Sequence, residues 1–257
     1  MNQELQPGQS LHNGRYTVKQ ELGRGRFAIT YLADRDDGER WVIKILDPVV
    51  VASVQPLEEQ RRLEDMFWQE AVALARCGSR SPYIVKVDRP FRENGVACLP
   101  LEYMGNNTLA DRLERVLPEA VALGYIGQVG EALAIVHGEN LVHRDVRPAN
   151  IFLVPRKDKI EAVLTDFGLA MSFDAELTRT RTREQIKGFS PIELFASGQK
   201  VGAYTDVYSL AATLYEMLTG EVPVDALTRK LQGIPLVNPR QKNPDITEQT
   251  VQAILEG

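Results

Sequence analysis

The chain is poor in the residues that anchor several common protein classes. It has two cysteines, Cys77 and Cys98, three histidines, two tryptophans and 7% aromatics in 257 residues. Two cysteines without C-x-x-C spacing exclude a disulfide scaffold and a thiolate metal site, and they read as buried or free thiols in a reducing compartment. Basic residues are not in excess: 30 Lys and Arg face 35 Asp and Glu, a formal charge of -5. Nucleic-acid binding needs a basic face, so no such partner is expected. No run of 18 apolar residues occurs, so no membrane span is expected. Residues 1–10 lack the apolar core of a signal peptide. With 44% hydrophobic and 25% charged residues, the expectation is a cytoplasmic globular protein.

Repeats and low-complexity tracts are also absent, and what remains is punctuation and periodicity. Residues 1–14 carry breakers at Pro7, Gly8 and Gly14 and read as a lead-in. Residues 16–22, 29–33 and Arg40–Leu46 are rich in β-branched and aromatic side chains and read as strands. Asp37-Gly38 predicts a type I′ hairpin, whose two central residues both take positive φ. Leu63, Phe67, Ala71 and Leu74 recur at helical spacing and give one apolar face. Residues 84–87 and Val96–Glu102 read as two further strands.

Beyond Gly105 the character turns helical. Pro118 opens a helix whose Val121, Tyr125, Val129, Ala132, Leu133 and Val136 form one stripe, with Gly138 as a left-handed cap. Short strand-like pieces surround 141–165. A second buried helix is expected from Thr205 as N-cap to Gly220 as C-cap. Asp245 and Glu248 read as a capping box for a last helix. Strands first and helices after predict an α+β fold in two lobes, 15–102 and 103–257.

The motifs differ in weight. Gly23-x-Gly25 alone means little, because this glycine content yields about one such pair by chance. It lies between two strands, however, which disfavours a dinucleotide fold and favours a glycine-rich hairpin over phosphates. His143-Arg144-Asp145 followed by Asn150 has a chance expectation of only about 0.01, and Asp166-Phe167-Gly168 of about 0.03. They occur in that order, with Asp166 21 residues after Asp145.

Together these motifs resemble the eukaryotic-like serine/threonine protein kinases of bacteria, over about residues 11–257. The glycine-rich loop is Leu22, Gly23, Arg24, Gly25, Arg26, Phe27, Ala28, Ile29 and Thr30. Trp41-Val42-Ile43-Lys44 resembles the lysine strand, and Glu70 lies on the helix that follows. His143 to Asn150 resembles the catalytic loop and Asp166 to Ala170 the metal motif. Ser190-Pro191-Ile192-Glu193 resembles the end of an activation segment, and Thr205 to Ser209 the start of a central helix.

That resemblance implies a bilobal fold with a small antiparallel N-lobe and a larger helical C-lobe. It implies ATP and Mg²⁺ as cofactors and serine or threonine hydroxyls of protein substrates as acceptors. ATP carries about four negative charges, so catalysis of phosphoryl transfer is mostly positioning and electrostatics. By the resemblance, Lys44 holds the α- and β-phosphates, Glu70 fixes Lys44, and Asn150 and Asp166 ligate Mg²⁺ through oxygen. Asp145 accepts the hydroxyl proton and Arg147 stands near the γ-phosphate. Leu101 is the gatekeeper, the backbone from Glu102 to Met104 meets the adenine edge, and Val42 and Phe152 sandwich the ring. Asp206 supports the catalytic loop, His137 ends a helix and His143 packs on Phe167.

Four departures from the family pattern stand out. Ala28 replaces a third loop glycine, at a cost of about 1 kcal/mol if the position needs positive φ and near zero otherwise. Arg147 replaces a lysine, with a wider guanidinium fork. The Ser190–Glu193 stretch has one inserted position, with Glu193 kept as the structural acid. The family continues past the position of Gly257 with more helix and an arginine that pairs with that acid, so a truncated end with exposed apolar surface is expected. Thr178, Thr180 and Thr182 alternate with Arg179, Arg181 and Arg183, a pattern open to autophosphorylation and charge-driven ordering. Two other functions compete: a non-catalytic pseudokinase that binds nucleotide or a partner, and a small-molecule phosphotransferase.

Overall fold

The β-branched and aromatic runs near the start of the chain pair into one antiparallel sheet. Its strands are β1 (Ser10–Leu11), β2 (Tyr16–Arg24), β3 (Ala28–Arg35), β4 (Arg40–Leu46), β5 (Phe91–Glu93) and β6 (Val96–Glu102), in the order β1-β2-β3-β4-β6-β5. This computed structural model describes residues 4–25, 28–113, 116–167, 188–195 and 199–257. Two units divide it, Met1–Gly105 and Asn106–Gly257, and the class is α+β: strand-rich first, helical second.

Strand alternation sends Tyr16, Val18, Ile29, Tyr31, Trp41, Ile43, Ile45 and Cys98 into one buried cluster. Leu5 and Leu11 join it, so the expected lead-in is instead part of the first unit. The β3–β4 turn is not type I′. Gly38 has φ 85° while neither Asp36 nor Asp37 has positive φ, and the Gly38 amide donates to the Arg35 carbonyl. This is a type I turn closed by a left-handed glycine, the next commonest way to join two antiparallel strands.

Two helices complete the first unit: α1 (Pro48–Ser53) and α2 (Leu57–Gly78). Leu63, Phe67, Ala71 and Leu74 are buried on α2 as the spacing predicts. Residues 84–87 do not form the expected strand. Val87 makes a single isolated bridge to Leu101 of β6, through Glu102 N to Lys86 O and Asp88 N to Pro100 O, and Pro90 follows to stop the ladder. Asp88 is instead a junction: its Oδ2 accepts from Arg15 at 2.6 Å and from the Tyr16 hydroxyl at 2.8 Å.

Both cysteines are fully buried in this unit, and burial pushes the Cys98 thiol up to about 12. A thiolate is the reactive form. An aromatic disulfide reagent at pH 8 should therefore label neither thiol in the native protein and both in denaturant; prompt native labelling of either would contradict this packing.

The second unit holds α3 (Leu109–Arg112), α4 (Glu119–Gly138), the hairpin β7 (Ile151–Arg156) and β8 (Lys159–Leu164), then α5 (Ala203–Thr219), α6 (Ala226–Gln232) and α7 (Glu248–Glu256). On α4 the buried stripe is Ala122, Tyr125, Val129, Ala132, Leu133 and Val136; Val121, expected in it, is 37% exposed. Val121 keeps an i, i+4 step to Tyr125 but falls on the outer edge of the stripe, while Ala122 lies nearer its centre line. Among the described residues α4 is the one helix long and apolar enough to cross a membrane by composition, and its stripe packs on α5 and β8.

Helix ends depart from expectation in three places. Gly138 stays helical, and Asn140 takes the left-handed position at φ 58°. Asn140 N donates to His137 O and Leu141 N to Val136 O, the paired bonds of a Schellman cap. On α5 the N-cap is Gly202, and Thr205 accepts from the Gly202 amide. Gly220 is the left-handed C-cap, as expected. On α7 the cap is Thr247, bonded to the Thr250 amide, and not Asp245.

Candidate active site

The residues singled out by motif fall in both units, and each half is built by its own elements. In the first unit, cross-strand register decides the arrangement. Gly23 pairs with Thr30, Thr30 with Lys44 and Lys44 with Leu99. Directly paired residues share a sheet face, so these four form one row across the sheet. Val42 lies two residues before Lys44, on the same face, and pairs with Leu101. Trp41, Ile43 and Ile45 take the opposite, core face. Thr30 ties the row together, its hydroxyl donating to the Gly23 carbonyl at 3.1 Å.

Other expected residues are placed less directly. Leu22 is 40% exposed, while the Ile29 side chain is fully buried in the core, so Ile29 has only its backbone to offer a ligand. Glu70 is half-buried on α2 beside the buried Ala71. Glu102 ends β6, with Met104 just beyond. Arg26 and Phe27 lie outside the described residues.

The loop glycines are not forced by strain. Neither Gly23 nor Gly25 has positive φ, and a Cβ would meet its nearest neighbour at 3.8 Å and 3.5 Å respectively, ordinary contact. What glycine leaves there is bare backbone, which lets N–H groups approach a ligand closely. Ala28 has no positive φ either, and its carbonyl accepts from the Gly25 amide at 2.8 Å. The departure at Ala28 therefore carries no backbone strain.

In the second unit, one hairpin gathers the chemistry. Ile151 pairs with Leu164 at the open end of β7–β8. Asn150, just before β7, is thereby brought beside Thr165, whose amide donates to the Asn150 carbonyl at 3.0 Å. Asp166 comes next, exposed and at φ 58°, between buried Thr165 and Phe167. Asn150 is buried, and its Nδ2 donates to the Asp145 carbonyl at 2.8 Å and to Asp145 Oδ2 at 2.9 Å. Arg147 Nε stands 3.7 Å from the other carboxylate oxygen. Phe152 is held in β7 by a bridge to Thr108, and Leu153 is bonded twice to Asn107. Asp145, Arg147 and Asn150 thus come together, and Asp166 is one residue past the Thr165 that bonds Asn150.

The loop ahead of them rests on Asp206 of α5, which is completely buried. Its two oxygens accept from His143 N at 2.8 Å, Arg144 N at 2.7 Å and His137 Nε2 at 2.7 Å. Arg144 sits at φ 67°, a conformation costing about 1–3 kcal/mol for a non-glycine residue. Hydrogen bonds to a charged acceptor are each worth about 1.5–3 kcal/mol, enough to hold it there.

His143 is fully buried and packs on Phe167 with ring centroids 4.6 Å apart. Nε2 donates to the Thr165 carbonyl and Nδ1 accepts from the Asp145 amide. Only the neutral Nε2–H tautomer satisfies both, in keeping with burial driving its pKa down. A depressed histidine pKa means the unfolded chain binds the proton more readily. Its contribution is therefore complete above the unfolded value of about 6.5 and is lost as pH falls below it. The imidazole should remain neutral by NMR at pH 6 while the melting temperature falls from pH 7 to 5. A ring titrating normally near 6.5 would rule this out.

Motif reading gave no role of its own to two residues, Gly188 and Asp47. Gly188 has φ 92°, and a Cβ there would lie 2.4 Å from Val222 Cγ1 and 2.6 Å from the Pro223 carbonyl, so no other residue fits. Asp47, buried at the β4–α1 junction, was signalled only by Asp-Pro, a capping residue followed by proline at the first helical position. Glu193 accepts from the Thr205 hydroxyl at 2.9 Å, a structural contact. Gly168, Thr178, Thr180, Thr182 and the interleaved arginines lie outside the described residues.

This fold and this set of residues define a protein kinase domain. The family model for that domain matches residues 16–253, and the chain belongs to that family. Its relatives are serine/threonine kinases, largely bacterial. It is 32% identical to serine/threonine-protein kinase PkaB of Streptomyces coelicolor, over 81% of this chain and 49% of that protein. It is 29% identical to serine/threonine-protein kinase pkn2 of Myxococcus xanthus, over 86% of this chain and 26% of that protein. The chain thus spans a quarter to half of these relatives. Among solved structures, the PpkA-294 apo form matches with TM-score 0.74 at 23% identity, covering 98% of this chain and 91% of that one. The PknI kinase domain of Mycobacterium tuberculosis matches with TM-score 0.66 at 25% identity, covering 98% and 99%. Membership implies ATP, and typically Mg²⁺, as cofactors.

Proposed function

We propose that this chain transfers the γ-phosphoryl group of ATP to serine and threonine hydroxyls of proteins. The observation that carries the reading is the Asp145–Asn150–Asp166 grouping at the open end of the β7–β8 hairpin. Asn150 spends its amide N–H groups on Asp145, which leaves Oδ1 as its acceptor atom. That oxygen and the exposed Asp166 carboxylate are hard donors suited to Mg²⁺. When bound, the ion neutralises charge on the phosphate oxygens. Asp145 accepts the proton of the attacking hydroxyl, its carboxylate held by Asn150 on one side and near Arg147 on the other. Lys44, paired with Glu70, steadies the α- and β-phosphates from the row it shares with Gly23 and Thr30. Backbone from Leu22 to Thr30 covers the phosphates. Val42 in the first unit and Phe152 in the second are each assigned to the adenine ring, whose edge meets backbone from Glu102 to Met104.

Protein acceptors, autophosphorylation at Thr178, Thr180 or Thr182, and a cytoplasmic setting belong to the same proposal. The two buried cysteines support the setting. The test is transfer from radiolabelled ATP to a generic protein substrate, with small alcohols and amines as competing acceptors. Label in protein that chelation removes is expected. Nucleotide binding without transfer would point to the pseudokinase, and label only in small acceptors to the phosphotransferase.

A further inference from the structure

Arg24 lies between the two loop glycines, at the last position of β2. A side chain there could face the nucleotide phosphates, yet its guanidinium is engaged elsewhere. Nη1 donates to Asp47 Oδ2 at 2.8 Å, and Nη2 reaches Glu4 Oε1 at 2.9 Å and Glu21 Oε2 at 3.2 Å. These carboxylates come from three places: the stretch before β1, the body of β2 and the β4–α1 junction.

The three contacts are unequal. Glu4 and Glu21 are about two-fifths exposed, while the Asp47 side chain is 5% exposed. Asp47 is also fixed from its other oxygen, which accepts from the Val49 amide at 2.9 Å and caps α1. The guanidinium therefore grips an immobile buried anchor, where screening by salt is weak. Next to Glu4, Leu5 is packed in the core, so residues 4–5 are no loose tail.

We propose that Arg24 is a positioning residue that latches the phosphate loop to Asp47 and to the stretch before β1. The proposal rests on the phosphate-loop reading above. Chain held in place before ligand arrives gives up less conformational freedom on binding, so a latch of this kind strengthens nucleotide binding without touching the reacting atoms. It also makes the loop sensitive to whatever draws residues 4–11 away.

Two readouts test it. In Arg24→Gln, KM for ATP should rise about fivefold with kcat changed less than twofold, the scale of losing one partly buried ion pair. Arg24→Lys should recover part of the loss. Glu4→Gln should raise KM less, and combining it with Arg24→Gln should add nothing, since both break the same contact. Independently of any nucleotide, amide exchange at residues 20–25 should quicken several-fold in Arg24→Gln. Unchanged exchange there would overturn the latch even if the kinase reading stands. Quickened exchange with unchanged KM would overturn its role in nucleotide binding. A wild type that binds no ATP would remove the phosphate-loop reading, and this role with it.

Discussion

Replacing Asp145 with Asn should lower kcat for phosphate transfer by about 10²–10⁴-fold, the usual worth of a positioned general base. The substitution keeps shape and removes the basic oxygen. Asn150 can still donate to the side-chain oxygen at position 145, as it donates to Asp145 Oδ2 now. The loop is held by Asp206 through the neighbouring amides, so folding should survive. Nucleotide binding should also persist, because its contacts come from other residues. Calorimetry with ATP analogues beside a transfer assay separates the two. A variant within tenfold of wild type would take Asp145 out of the proton-accepting role.

Asp206→Asn should have the largest effect on stability. The carboxylate receives three donors and has no exposure. An amide offers one acceptor oxygen, and its NH₂ must then face a backbone N–H. Breaking a buried, charge-assisted network of this kind costs about 3–5 kcal/mol. For a domain of this size that is a fall of about 6–20 °C in melting temperature. Transfer should fall as well, even below the melting range, because Arg144 loses the bonds that hold its left-handed backbone. A melting shift under 2 °C would show that the loop does not depend on Asp206.

The sequence made the chemistry legible sooner than the architecture around it. Lys44, Asp145, Asn150 and Asp166 stood out as candidates because phosphoryl transfer demands those residue types at constrained spacings. The strands β4 and β6 were readable to the residue, since alternation and β-branching there are strong and their ends are marked by turns. Residues 84–87 misled because three β-branched residues in four resemble a strand whether or not a ladder follows. The end of α4 misled because Asn140 and Gly138 are both competent left-handed caps, and the choice depends on where Leu141 packs. The contacts of Arg24 and Asp88 were beyond reach. Asp88 joins Arg15 and Tyr16, 73 and 72 residues away, and surface-type charges carry no local mark of their partners.

The β7–β8 hairpin works like a folding rule. Asn150 and Asp166 stand at its two open ends, and six matched pairs lie between them, from Ile151↔Leu164 to Arg156↔Lys159. Their closeness in space is set by pairing, not by the number of residues in between. Chain can be added at the Lys157–Asp158 turn, or removed in matched pairs, with both ends still meeting. A single unmatched residue within one strand would instead turn every side chain between it and the open end to the other face. In evolution and in engineering alike, the tip is the place where this domain can change length at little cost to its chemistry.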